Sequence, residues 1–421
     1  MAEGTKKYWA QRRRCDRFAI MPSNIDWSPR FARRAHQMKP SALRELLKLT
    51  SRPGLISFAG GLPDSGLFPL DRVGAAVQAV LRRVGGRALQ YGETEGVPEL
   101  REWLSRRYST GIMRLNSENV LITTGAQQAL DLAGRVLLND GDRVVVENPT
   151  YLAALLAWRL SGAAFTVVGA DDSGMNVNEL ALLDEKPKMV YAIPNFQNPT
   201  GTTMSTIRRR RLIEIIQERD LTLFEDDPYA ELRYEGESLE SLLELDCQPD
   251  AGGRVIRAGT FSKTLMPGLR IGWVIGPRPL IERMGWAKQA MDLHTSTFNQ
   301  YVALELLNSG YLEEFIPVLR RVYRERRDTM LDALQEFFPP GSNWTRPMGG
   351  MFIFVTLPQN VSAGDLLARA LERNVAFVPG EAFHLDGTGQ NTLRLNFTQA
   401  SVPDIREGIG RLAELVTHFP A

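Results

Sequence analysis

Short apolar runs recur along this chain with helix-patterned stretches between them, and no other feature constrains the fold as tightly. The runs are Val120–Thr124, Arg143–Glu147, Met189–Ile193, Leu221–Phe224, Val255–Ala258 and Ile271–Ile275, each bounded by charged or turn residues. Strands buried on both faces have this pattern, and their alternation with helices indicates an α/β fold around a largely parallel sheet. Helical spacing marks Ala42–Leu49, Leu70–Val84, Pro98–Tyr108 and the stretch after Gly125. Ser205–Arg219 is also helical in pattern and opens on a serine suited to N-capping. Gly60–Asp64 reads as a loop, and Leu312–Phe338 as a long charged helix. Beyond Pro347 the pattern changes. Strands are expected at Met351–Leu357, Val375–Val378 and Thr392–Phe397, with helices at Ala363–Arg373 and Pro403–Val416. These make a smaller α+β unit, bridged to the rest by the long helix.

Charge and cysteine usage exclude several classes. Among 421 residues, 50 Lys+Arg face 49 Asp+Glu, a net charge of +1, and a whole-molecule nucleic-acid binder would show a basic excess. Cys15 and Cys247 cannot make a disulfide framework and suit a reducing cytoplasm. No apolar run approaches the roughly 18 residues of a membrane span. Lys6, Lys7, Arg12, Arg13, Arg14 and Arg17 make the first stretch basic, and residues 1–30 read as a disordered, solvated tail. A nucleic-acid or membrane contact is the other reading of that tail. Phe18–Met21 is stopped by Pro22 too early for an export signal, and Met21 is itself a candidate start.

Four sites could carry chemistry, after others fail. His36, His294, His384 and His418 are scattered, without zinc-ligand spacing. No Gly-x-Ser-x-Gly elbow, no P-loop and no three-glycine dinucleotide fingerprint is present. Thr123–Gln128 runs from a strand into a helix, where free N–H groups suit a phosphate and Gly125 allows close approach. Taken alone, it is an ordinary turn. Pro194–Gly201 follows a strand end, where α/β sheets bind ligands, and Asn198 there can hydrogen-bond an anionic oxygen. Asn-Pro and Thr-Gly are equally turn dipeptides. Glu225, Asp226 and Asp227, followed by Tyr229, lie at another strand end. Buried acids need a partner: a metal, a structural arginine or a protonated ring nitrogen. Finally, Lys263 stands just past Val255–Ala258 with Thr260, Ser262 and Arg270 around it. A desolvated lysine becomes a nucleophile that forms Schiff bases, and its neighbours suit a phosphate.

The order and spacing of these parts resemble the fold-type I aminotransferases of the class I/II group, which use pyridoxal 5'-phosphate (PLP). Asn198-Pro199-Thr200-Gly201 and the Ser262-Lys263 to Gly272 motif carry the resemblance, which runs from about Arg33 to the C-terminus. Ser41–Leu47, Phe58–Pro63 and Leu89-Gln90-Tyr91 resemble the α-aminoadipate/kynurenine branch. The resemblance implies a mostly parallel seven-stranded sheet between helices in a large domain, plus a smaller α+β C-terminal domain. The implied segments are an N-terminal arm at 31–60, the large PLP domain at 61–300 and the small domain with its bridging helix at 301–421.

It also implies residue roles. Lys263 would hold PLP through a Schiff base and then shuttle the proton. Asp226 would pair with the ring nitrogen, and Asn198 and Tyr229 would bond the ring phenolate. Tyr151 would stack on the ring. Gly125, Ala126, Gln127, Thr260, Ser262 and Arg270 would cradle the phosphate, with Tyr91 reaching it from a second subunit of a homodimer. Arg394 would fork the substrate α-carboxylate with Asn198 beside it. Arg44 would take a distal carboxylate in a pocket lined by Gly60 and Gly61. Ala126 departs from the branch, which often has Ser there. No metal is implied. The implied reaction is ping-pong amino transfer between an L-amino acid, with glutamate as donor, and a 2-oxo acid. Apolar or aromatic side chains would be admitted if Arg44 swings out. A PLP-dependent lyase or decarboxylase on the same fold is the alternative. A PLP-sensing transcription regulator needs an upstream DNA-binding domain, for which about 30 residues are too few. Arg208–Arg211 wrap around a helix and form no stripe, and Trp158, Trp273, Trp286 and Trp344 read as packing residues.

Overall fold

The computed structural model of the protein describes residues 25–36, 38, 54–247 and 252–420. Most of the basic segment, the expected helix at Ala42–Leu49 and Arg44 lie outside the described residues. The chain divides into two units, 1–39 and 40–421. In the first, Ser28–Arg30 forms a 3-10 turn and Arg33–His36 a short helix.

The second unit contains every strand among the described residues. In chain order these are β1 (Ile56–Ser57), β2 (Val120–Thr123), β3 (Arg143–Asn148), β4 (Ala164–Asp171), β5 (Gly174–Met175), β6 (Met189–Ala192) and β7 (Thr222–Asp226). Then come β8 (Val255–Thr260), β9 (Gly272–Ile275), β10 (Asn343–Trp344), β11 (Phe352–Thr356), β12 (Val375–Ala376), β13 (Val378–Pro379) and β14 (Thr392–Asn396). The large sheet has the order β2-β9-β8-β7-β6-β3-β4-β5. Its middle, β8-β7-β6-β3-β4, is parallel, while β9 runs antiparallel to both β2 and β8. The expected seven strands are all present, and β5 adds an eighth by folding back on the end of β4.

The apolar runs became strands because their residues are buried on both faces: β2 and β6 are buried throughout, and β3 from Val144 to Glu147. Strand β4 gave no such run. It is only half-buried near the sheet edge, and Thr166 and Gly169 dilute its apolar residues. Ser205 does cap its helix, Thr206–Glu218, by accepting from the Arg208 N–H. The smaller sheet, β10-β11-β14-β13, is antiparallel. The run expected as one strand at Val375–Val378 splits in two. Val375 and Ala376 pair with Ile56 and Ser57, while Val378 and Pro379 pair with β14, so the chain changes partner at the buried Phe377. The helices Tyr311–Phe337 and Val402–Thr417 pack against each other.

This topology gathers the candidate residues. Strands β3, β6, β7 and β8 are parallel, so Tyr151, Asn198, Asp226 and Lys263 all follow or occupy carboxyl ends on one edge. The register Thr123↔Gly272↔Thr260 brings the end of β2, and with it Gly125, to the same edge.

Candidate active site

At the end of β2 the chain turns through Gly125 into the helix Ala126–Leu137. Gly125 has φ 81°, a left-handed conformation that disfavours a side chain. A Cβ there would also lie 2.5 Å from an Arg270 guanidinium nitrogen, so the arginine is seated directly against the turn. Arg270 Nη2 donates to Thr124 O at 3.2 Å. The Thr260 and Ser262 hydroxyls bond each other at 2.8 Å, and the Ser262 N–H donates to Thr260 Oγ1 at 3.1 Å. A helix N-terminus, two hydroxyls and a guanidinium therefore lie close together on this edge, a set of donors suited to a dianion. Gln127 is exposed and turns its amide to Ala153 O at 3.3 Å.

Lys263 follows β8 and donates from Nζ to Gly61 O at 2.7 Å. The side chain keeps some accessible surface, yet its amine is enclosed. Burial first, then the cations Arg394 and Arg270, lower its pKa to about 8. Asp226, at the end of β7, is buried and accepts from the Tyr191 hydroxyl through Oδ2 at 2.8 Å. Its Oδ1 is buried without any partner. Burial raises its pKa to about 7; Tyr191 opposes the rise and Asp227 adds to it.

Arg394 comes from β14 and is the residue by which the small sheet enters the site. It donates to Asn198 Oδ1 and to Ala59 O, each at 2.8 Å. Its guanidinium lies 4.3 Å from the Phe352 ring centroid and 5.1 Å from that of Phe383, cation–π contacts that help hold its plane. Its Nε is buried with no partner. Burial lowers its pKa to about 10 against the pull of Tyr229 and Tyr151. Tyr229 is buried and has Asn198 for a hydrogen-bond partner, and burial raises its pKa strongly. Burial and then Asp226 raise Tyr151 to about 12, while Arg394 and Arg270 oppose. Gly61 sits so that a Cβ would meet the Phe352 ring at 3.4 Å, and Gly60 lies beside Gln399.

The expected residues are thus brought together, with two exceptions. Arg44 is outside the described residues. Tyr91 is 77% exposed, its ring meeting His294 edge-on at 5.7 Å. Tyr191 was missed from the sequence. Its signal was a phenol inside the otherwise apolar run Met189–Ile193, since a buried tyrosine hydroxyl needs a partner. Glu147 was missed too. It ends the apolar part of β3, its Oε2 is buried without a partner, and burial raises its pKa to about 8.

Among the ten buried side-chain polar atoms without partners in the described residues, two belong to charged groups of this site and ask for a ligand. Asp226 Oδ1 calls for an N–H and Arg394 Nε for an anionic oxygen. A weakly basic lysine and a dianion cradle lie on the same sheet edge. This donor and acceptor set fits PLP and an amino-acid carboxylate, and it defines the class as a PLP enzyme.

The comparisons agree. Residues 59–412 match the family Aminotransferase class I and II. The chain is 45% identical over 403 residues to an aromatic-amino-acid aminotransferase of Thermococcus litoralis, covering 93% of this chain and 95% of that one. It superposes with TM-score 0.87 and 42% identity on the α-aminoadipate aminotransferase of Thermus thermophilus, complexed with N-(5'-phosphopyridoxyl)-L-leucine, covering 93% and 98% of the two chains. A kynurenine aminotransferase of Pyrococcus horikoshii, crystallised with pyridoxamine phosphate, matches with TM-score 0.87 and 45% identity over 94% and 99%. The chain belongs to the class I and II aminotransferases: it is a PLP-dependent aminotransferase.

Proposed function

We propose that the protein transfers an amino group between L-glutamate and a 2-oxo acid by a ping-pong mechanism, with 2-aminoadipate, aromatic or branched-chain amino acids as its other substrates. The observation that carries the site assignment is the pair of unpartnered buried atoms, Asp226 Oδ1 and Arg394 Nε, at a sheet edge that also bears a lysine of lowered pKa. Bound PLP supplies an aldehyde and a ring that accepts the electron pair left at the substrate Cα.

The chain's own residues do the rest. Arg394 would bind the α-carboxylate through a guanidinium that lies over the Phe352 and Phe383 rings. Asp226 would hold a proton on the ring nitrogen, and the Tyr191 hydroxyl favours the ionised form of Asp226 and orients it. Asn198 and Tyr229 would bond the ring oxygen, and Tyr151 would pack against the ring. The turn at Gly125, Ala126 and Gln127, with Thr260, Ser262 and Arg270, would hold the phosphate. Lys263, as a free amine, would take the proton from the substrate Cα and give it back in the reverse direction. A neutral amine does this readily near pH 8, where an ordinary lysine stays charged.

Side-chain choice follows from relatives that act on aromatic, aminoadipate and kynurenine substrates, and glutamate from Arg44 as partner for a distal carboxylate. We further place the PLP contacts in 61–300 and Arg394 in a small domain at 301–421. The active form is a cytoplasmic homodimer in which the exposed Tyr91 serves the partner's site. Initial rates at varied glutamate and 2-oxo acid test the reading. Parallel double-reciprocal lines, lost in Lys263→Ala, are expected. Intersecting lines, or full turnover in Lys263→Ala, overturn it.

A further inference from the structure

A second polar cluster lies behind the Gly125 turn. Lys288, on the helix Arg278–Met291, is fully buried. Its Nζ donates to Asp292 Oδ1 at 2.7 Å, to Asp292 Oδ2 at 2.9 Å and to Gln128 Oε1 at 3.0 Å. Gln128 Oε1 also accepts the Thr124 N–H at 2.8 Å, and Gln128 Nε2 donates to Asp292 Oδ2 at 2.7 Å. Thr124 Oγ1 donates to Asp292 Oδ2 at 3.0 Å and lies 3.0 Å from Thr295 Oγ1. With Arg270 on Thr124 O, every polar atom of Thr124 is held.

Burial lowers the Lys288 pKa against the pull of Asp292. Burial also pushes Asp292 up, but the bonds from Lys288, Gln128 and Thr124 overcome it and hold the carboxylate low. A buried ion pair rarely adds net stability over apolar residues of the same size, so stability alone is a poor reason for Lys288. What the cluster does achieve is convergence on one residue, the last before Gly125. A helix start receives a phosphate well only if its N–H groups already point together, because a turn that must be reordered at binding weakens affinity.

We propose that Lys288, Asp292 and Gln128 are positioning residues that hold the Thr124–Gly125–Ala126 turn in its phosphate-receiving shape. The proposal rests on the assignment of the PLP phosphate to that turn. Its signature is selectivity: the cluster strengthens binding of PLP and leaves binding of pyridoxal, which lacks the phosphate, unchanged. A role in general stability would not separate the two ligands.

The test titrates the cofactor-free protein with PLP and, separately, with pyridoxal, reading the visible absorbance of the Lys263-bound form. Lys288→Met/Asp292→Leu removes both charges together and leaves no buried charge unpaired. PLP affinity is expected to fall about tenfold, the factor that losing one hydrogen bond to a charged group carries, with pyridoxal affinity unchanged. Gln128→Leu carries the same expectation should the double variant fail to fold. Arg270→Gln is the control for the phosphate assignment and should also lose PLP selectively. If Arg270→Gln discriminates between the ligands and the cluster variants lose both equally or neither, the proposal is overturned and the assignment stands. If Arg270→Gln does not discriminate, the assignment falls and the proposal falls with it.

Discussion

Lys263 has a pKa of about 8 in place of an ordinary 10.5, first because it is buried and then because Arg394 and Arg270 repel its charge. At pH 7.5 an amine of pKa 8 is about one quarter neutral, whereas one of pKa 10.5 is about one thousandth neutral. The site therefore raises the amount of nucleophilic amine about 200-fold. The perturbation is pH, applied to cofactor-free protein mixed with pyridoxal so that no phosphate adds its own charge. The amine adds to the aldehyde carbon, water leaves, and visible absorbance reports the product. The rate should climb with pH and level off above an inflection near 8. Arg394→Met removes the second cause of the shift, so its inflection should move upward and its rate at pH 7.5 should fall. A wild-type inflection near 10.5 refutes the reasoning, as does an inflection that Arg394→Met leaves in place.

Three further outcomes can be checked separately. Glu147 has a folded-state pKa of about 8, above its ordinary 4.5, chiefly through burial. Its favourable contribution is therefore complete at acid pH and is lost as pH rises from about 4.5 to about 8. Glu147→Gln should flatten the decline of thermal midpoint across that window, and equal slopes in both proteins contradict this. Tyr191→Phe deletes the 2.8 Å bond to Asp226 and should raise the Asp226 pKa by about one pH unit or more, read by isotope-edited infrared titration of the cofactor-free protein. An unmoved titration counts against it. Arg394→Lys exchanges a planar fork for a point charge and should raise KM for the amino acid about ten- to a hundredfold with a smaller change in kcat. An unchanged KM sinks the carboxylate assignment.

Much of this was legible in the sequence, for physical reasons that can be named. Strands such as β2, β6 and β7 are buried on both faces, so they had to be apolar runs, and their ends had to carry the polar residues. That made Asp226, Asn198 and Lys263 conspicuous. Strand β4, half-buried, left no comparable run. Tyr191, flagged only by its phenol in an apolar run, and Lys288, which had no signal, were hard to read for the opposite reason. Each is a polar atom on an otherwise ordinary buried position, and its meaning depends on a partner far along the chain. Tyr191 needs Asp226, and Lys288 needs Gln128. Such pairings are set by strand order and helix packing, which local pattern does not encode. Tyr91 was singled out from the sequence by family resemblance, and its exposure gives it no partner in its own site.

The most direct measurement is the stoichiometry of a single half-reaction. Purified PLP-loaded protein is given L-glutamate alone, and products are counted per subunit. One 2-oxoglutarate and one pyridoxamine phosphate per subunit are expected, then arrest until a 2-oxo acid is added. Ammonia or carbon dioxide accumulating over many turnovers without any added oxo acid would contradict this and mark the site as that of a lyase or decarboxylase.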